Sequence, residues 1–221
     1  TQTNTQNPKY QHSNPPSLTL LYTNLDYFKN HDEHISINVF MNYNKAMKNI
    51  IDYIKEYGNL TLEEYPFNNV DSLSLSQISY IKFENSSIDI ESEVHLLTEF
   101  ENEIDTLCID TRVPELNEEL FLQCIHSLRY EAITISHLQT NFDKDNEKQF
   151  CAMTFHLPNQ TDYIAFRGTD ASFVGWKEDF NLCFQENIPS QISALNYVNN
   201  YKTKHKLILG GHSKGANLAL Y

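Results

Sequence analysis

The chain has no run of about 18 consecutive apolar residues, so no stretch of it is expected to cross a bilayer as a helix. Basic side chains are scarce: 16 Lys and Arg stand against 29 Asp and Glu, a formal net charge of −13. That balance argues against nucleic acid or an anionic membrane as a partner, since both repel a polyanion. Cysteine is sparse and unpatterned. Cys108, Cys124, Cys151 and Cys183 lie far apart without a C-x-x-C pair, which reads as buried free thiols in a reducing, cytoplasmic compartment rather than a disulfide framework. The nine histidines show no metal-ligand spacing with them, so neither metal nor cofactor is expected. No internal repeat is visible. What remains is 221 residues, 40% hydrophobic and 12% aromatic, enough for one sizeable globular domain with a polar appendage.

The appendage comes first. Residues 1–17, TQTNTQNPKYQHSNPPS, are Asn/Gln-rich and broken by proline, and residues 18–40 carry apolar side chains without a clean period, so a flexible extension is expected over 1–44 and a folded domain over 45–221. From Lys45 a helical pattern clears. Met47, Ile50, Ile51, Ile54 and Tyr57 recur at helical spacing after a candidate Asn44 cap, with Gly58 as a stop. Asp71 is a candidate cap for a second helix, although Leu73 and Leu75 also admit a short strand. Residues 91–108 and 114–130 read as helices, which makes the N-terminal half mainly helical. The character then changes. Ile133–Ile135, Phe150–His156 and Asp162–Phe166 read as strands, with Pro158-Asn159-Gln160 as a turn. A helix after Pro189 leads into a last strand at Leu207-Ile208-Leu209, the crossover expected between parallel strands.

That last strand runs into Gly211-His212-Ser213-Lys214-Gly215, which fits G-x-S-x-G. In such an elbow a sharp strand-to-helix turn pushes a serine hydroxyl out at the end of a sheet, and the two glycines lack the Cβ that would collide across the bend. Unpaired N–H groups at the helix start face the place where an oxyanion would form. A glycine-rich turn holding a serine by accident is the bland alternative, and the flanking strand residues and the small Ala216 and Ala219 speak against it.

A second informative stretch is Tyr163-Ile164-Ala165-Phe166-Arg167-Gly168-Thr169-Asp170, followed by ASFVGWKEDF. With GGHSKGAN, the FRGTD…GWKEDF pattern resembles the class 3, fungal-type lipases, and more closely a bacterial family of lipase-like α/β hydrolases of unassigned function. KNIIDYIKEYGNLTLEEYPFNNVDSLSLSQISYI is similar to that family's N-terminal region, so the resemblance spans roughly residues 45–221, about four fifths of the chain. It implies an α/β-hydrolase front half: a mixed, mostly parallel sheet with helices on both faces and a mainly helical N-terminal region. Ser213 would be the nucleophile, and the Lys214 and Thr169 backbone N–H groups the oxyanion hole. Phe173, Val174 and Trp176 would form a short apolar lid, or simply pack into the core. Arg167 and Asp179 would form a structural ion pair under the site, as against a direct catalytic role.

The triad order in such hydrolases is Ser, then Asp or Glu, then His, and only eight residues follow Ser213. The acid and base are therefore expected beyond Tyr221, the chain being the N-terminal part of a longer hydrolase with little turnover by itself. His212 should project away from Ser213, while His156 and His205 have no motif around them. Two classes of function stand: a serine hydrolase acting on a small-molecule or lipid ester through an acyl-enzyme, or a non-catalytic remnant or binding module that keeps the fold.

Overall fold

The computed structural model describes residues 48–221. The expected extension over 1–44 and the Asn44 cap lie outside these residues. Helix α1 (Ile50–Tyr57) is instead capped by Asn49, whose side chain accepts the Ile51 and Asp52 N–H groups at 2.8 and 3.0 Å while the Asp52 carboxylate accepts the Asn49 N–H in return. Ile51 and Ile54 face the core, and Gly58 ends the helix. Helix α2 (Asn69–Ile78) repeats the device one residue type over. Asn68 is the cap and Asp71 the third helical residue, so Asp71 closes the capping box rather than opening the helix, and the strand alternative at Leu73 and Leu75 falls away. Asp71 has a second task. Its buried carboxylate takes Arg129 Nε at 2.7 Å, Arg129 Nη2 and the Tyr130 hydroxyl, fastening α2 to the segment that leads into the sheet.

The helix expected over 91–108 is broken. Leu96 N–H is held by Glu99 Oε1 at 2.8 Å, so the chain makes a two-residue strand β1 (His95–Leu96), a 3-10 stretch (Leu97–Glu103) and a short α3 (Ile104–Cys108). Helix α4 (Pro114–Ile125) begins at proline, which gives up no hydrogen bond at a first helical position.

Strands β2 (Thr134–Asp143), β3 (Lys148–Leu157), β4 (Thr161–Phe166) and β5 (Lys206–Gly211) follow, and the sheet order is β1-β2-β3-β4-β5. The sheet is mixed but mostly antiparallel, which corrects the expectation of a mostly parallel one. Tight turns join β2 to β3 and β3 to β4, and a tight turn can only reverse the chain. Only β4 and β5 run parallel, with Phe166 opposite Gly211, because their connection contains α5 (Phe173–Asn181) and α6 (Pro189–Asn200). Helix α7 (Lys214–Leu220) leaves the end of β5.

Side-chain alternation along the strands divides the core in two. Cys151, Met153, Phe155, Tyr163 and Ala165 face the N-terminal helices, while Phe150, Ala152, Ile164 and Phe166 face α6 and α7 through Ala194, Tyr197 and Leu218. Helices thus cover both faces, as expected. Cys108, Cys124 and Cys151 are buried free thiols, but Cys183 is exposed. No described helix is long and apolar enough to cross a membrane.

Candidate active site

Ser213 sits between β5 and α7 with φ 58° and ψ −126°, a left-handed backbone conformation that L residues avoid and that persists only where packing enforces it. The enforcement is visible. A Cβ on Gly211 would lie 2.7 Å from Phe166 O and closer still to Gly215, and one on Gly215 would lie 2.9 Å from Phe166 C and 3.1 Å from Gly168 N. The parallel register that sets Phe166 against Gly211 brings the β4 exit and the elbow together at one end of the sheet. Ser213 is exposed there.

Thr169 follows Gly168, whose backbone touches the elbow on both sides of the serine: a Cβ on Gly168 would strike His212 O as well as the Tyr80 hydroxyl, and Gly168 N borders Gly215. Thr169 and Lys214, 45 residues apart in sequence, are thus each next in sequence to a residue of this contact: Thr169 to Gly168, Lys214 to Gly215. Thr169 is buried, and its hydroxyl has no hydrogen-bond partner among the described residues. Lys214 opens α7, so its N–H has no intrahelical acceptor.

The Lys214 side chain was not foreseen as part of the site. It is fully buried, and its ammonium donates to Glu178 Oε2 at 2.6 Å, Gln149 O at 2.6 Å and Gln149 Oε1 at 3.0 Å. Glu178 also accepts the Gln149 and Ser190 N–H groups, and Gln149 Oε1 accepts the Asp170 N–H at 3.4 Å. One buried network thus ties the elbow to β3, to α5 and to the residue after Thr169. A charged residue inside G-x-S-x-G was the available signal in the sequence, since a lysine at that buried turn needs an acidic partner.

The Arg167–Asp179 pair does not form. Arg167 is buried and makes a two-pronged contact with Glu84, at 2.6 and 2.9 Å, while donating to the Ser79 and Ile81 carbonyls. Asp179 is exposed on α5, because the helical turn that buries Glu178 points the next residue outward. Burial alone would push the Glu84 carboxyl up, but the Arg167 guanidinium outweighs it and holds the group below its ordinary value.

The lid residues divide. Val174 is buried, whereas Phe173 is 76% and Trp176 62% exposed, and Phe180 and Phe184 continue the apolar face beside them. Arg112 stacks over Trp176 at 5.8 Å and donates to Asp170 O at 3.0 Å. His212 Nδ1 lies 3.4 Å from the Tyr80 hydroxyl. Desolvation raises the Tyr80 phenol, with the Arg112 charge opposing it. His156 and His205 are at the other end of the sheet: His205 precedes β5 and Ser213 follows it, a separation of roughly 20 Å for a strand of this length. Neither histidine can serve as the base for Ser213.

A model of the family described as Mbeg1-like, a lipase-like family, matches residues 124–221, from the end of α4 through α7. No curated protein and no solved structure matches the chain.

Proposed function

We propose that Ser213 is the nucleophile of a serine ester hydrolase that works through an acyl-enzyme. The observation that carries this reading is the backbone of Ser213, held at φ 58° by glycines whose hydrogens are replaceable by nothing larger. A protein does not maintain a costly conformation at an exposed serine for the sake of packing. Two features support it: Thr169 follows Gly168, whose backbone lies against His212 and Gly215 of the elbow, and the Lys214 N–H at the start of α7 has no intrahelical acceptor, as donors to a developing oxyanion would need. The similarity to a lipase-like family agrees.

In this reading Ser213 Oγ attacks the carbonyl carbon of a small-molecule or lipid ester, Lys214 and Thr169 stabilise the tetrahedral oxyanion, and the alcohol departs to leave an acyl-serine that water then cleaves. His212, His156 and His205 all hydrogen-bond elsewhere, and the resemblance implies an acid and a base that follow the serine in the order Ser, Asp, His. The exposed Phe173 and Trp176, the latter linked through Arg112 to Asp170, would be the contact for an apolar acyl group. A binding module is the second reading, favoured by His212 being turned to Tyr80 rather than to the serine.

Fluorophosphonate labelling of the full-length protein, mapped to residue by mass spectrometry, separates them. Modification of Ser213 that is absent from Ser213→Ala is expected, and a Ser213 that stays unmodified supports the binding module.

A further inference from the structure

At the end of the sheet away from Ser213, three strands place a serine, a histidine and an aspartate in line. Ser136 Oγ lies 2.7 Å from His156 Nε2, and His156 Nδ1 lies 2.9 Å from Asp162 Oδ1. The register explains the alignment. His156 pairs directly with Asp162 across β3 and β4 and with Thr134 across β2 and β3, so all three side chains, Ser136 being two residues along from Thr134, project from the face that packs on α6.

The hydrogen bonds orient the imidazole. Asp162 is buried and accepts on both oxygens: Oδ1 from His156 and from His205 Nδ1 at 3.0 Å, Oδ2 from Tyr201 at 2.8 Å and Thr203 at 2.6 Å. Against an ionised Asp162, the neutral form of His156 carries its proton on Nδ1 and presents a bare Nε2 to Ser136. The serine hydroxyl must then donate to His156, and His137, whose Nδ1 is 2.6 Å from the same Oγ, donates to the serine. This is the arrangement of nucleophile, base and orienting acid that activates a serine, with different nitrogens of one imidazole doing the two tasks. A structural cluster needs a filled hydrogen-bond list but has no need of this order. Nor does the cluster gather a metal set: among the described residues no group of three His, Cys, Asp or Glu is placed to hold one.

Access runs through His137. A bulge between Ser136 and Gln139 takes His137 out of the ladder, at φ 54°, and its exposed ring stands between Ser136 and a cleft of about 320 Å³ lined by Leu138, Gln139, Tyr197 and Tyr201. Ser136 itself is buried, so the His137 ring has to swing aside before anything reaches the hydroxyl.

We propose that Ser136 and His156, with Asp162 as the positioning residue, form a second nucleophilic serine centre that takes a small acyl group from an ester entering by the His137 cleft. Ser136 Oγ bonds to the acyl carbon as its proton passes to His156 Nε2. The ester's acyl–oxygen bond breaks, and the departing alcohol leaves with that proton. This goes beyond the elbow reading and stands without it.

The experiment uses the 221-residue chain carrying Ser213→Ala, so that the elbow contributes nothing, treated with a small fluorophosphonate and mapped by mass spectrometry. Phosphonylation at Ser136 is expected, slowed at least ~100-fold by His156→Gln because the base is gone. His156 belongs to the ladder, so a second variant guards against a folding defect: His137→Ala, outside the ladder, should speed labelling of Ser136 by opening the cleft. An unlabelled Ser136 in both the Ser213→Ala chain and its His137→Ala derivative overturns the proposal. So does labelling of Ser136 that proceeds unchanged in His156→Gln.

Discussion

Ser213 and its glycines hold a strained backbone within five residues. Burying no apolar area and holding φ 58°, the serine raises the energy of the folded state by about 1–3 kcal/mol, which the surrounding close contacts sustain. Ser213→Gly removes that strain, since glycine occupies this region freely. The variant is expected to unfold at higher urea, by about 1 kcal/mol after allowing for glycine's greater unfolded freedom, while losing all fluorophosphonate labelling at this position. A variant less stable than the parent would mean that the serine side chain holds the turn and that the conformation carries no functional signal. This residue was legible in the sequence because the chemistry of an elbow demands glycine at fixed offsets. That the Gly168-Thr169 segment would meet the elbow was legible only through the resemblance, because nothing local in Arg167-Gly168-Thr169 says which distant segment it will meet.

At the scale of elements, the buried Lys214–Glu178 contact joins α7 to α5 over β3, and Asp162 joins β4 to the α6–β5 connection. Breaking a buried pair leaves one charge unmatched, so Lys214→Met alone should cost about 3–5 kcal/mol in urea unfolding. Lys214→Met with Glu178→Leu should recover most of it, and a double variant as unstable as the single one would show that the hydrogen bonds to Gln149 and Ser190 matter more than the charge. Asp162 has a pH signature. Burial would raise its carboxyl, but the hydrogen bonds from Thr203, His205, His156 and Tyr201 outweigh this and hold it well below the ordinary value. Its folded value is thus lower than the unfolded value near ~3.9, so the stabilisation is complete above about pH 4 and drains away as pH falls further. Asp162→Asn is expected to lower stability at neutral pH and to flatten the acid limb of an unfolding-versus-pH series, and an unchanged limb would refute the assignment. These contacts explain what the sequence hid. The helix after Pro189 and the strand-turn-strand of β3 and β4 followed from local pattern, whereas Glu84 as the partner of Arg167 depends on how the N-terminal helices dock. The antiparallel majority was readable too, in the proline turn between β3 and β4, but the expectation taken from the resemblance overrode it.

For the described molecule as a whole, apolar surface and charge pull in opposite directions. Strand β5 is paired on one side only, by β4, and its Leu207 and Leu209 are more than a third exposed. The aromatic face of α5 carries Phe173, Trp176 and Phe180, and Phe184 in the turn after it is exposed beside Phe180. An unpaired strand edge flanked by such surface is a template for pairing with a second copy. Opposing this is the net charge of −13, which keeps copies apart over a distance set by salt, about 30 Å in dilute buffer and about 3 Å near 1 M. The expected behaviour is therefore a chain that sediments as a monomer in dilute buffer and self-associates as salt is added, the reverse of what an ion-pair-driven contact would do. Leu209→Lys places a charge on the β5 edge, where it faces solvent and need not enter the core, and should hold the chain monomeric in high salt without moving the urea midpoint. A charge-reversing or aromatic-to-polar change on α5, such as Trp176→Ser, separates the two surfaces: if it abolishes salt-induced association while Leu209→Lys does not, the α5 face and not the strand edge is what brings copies together.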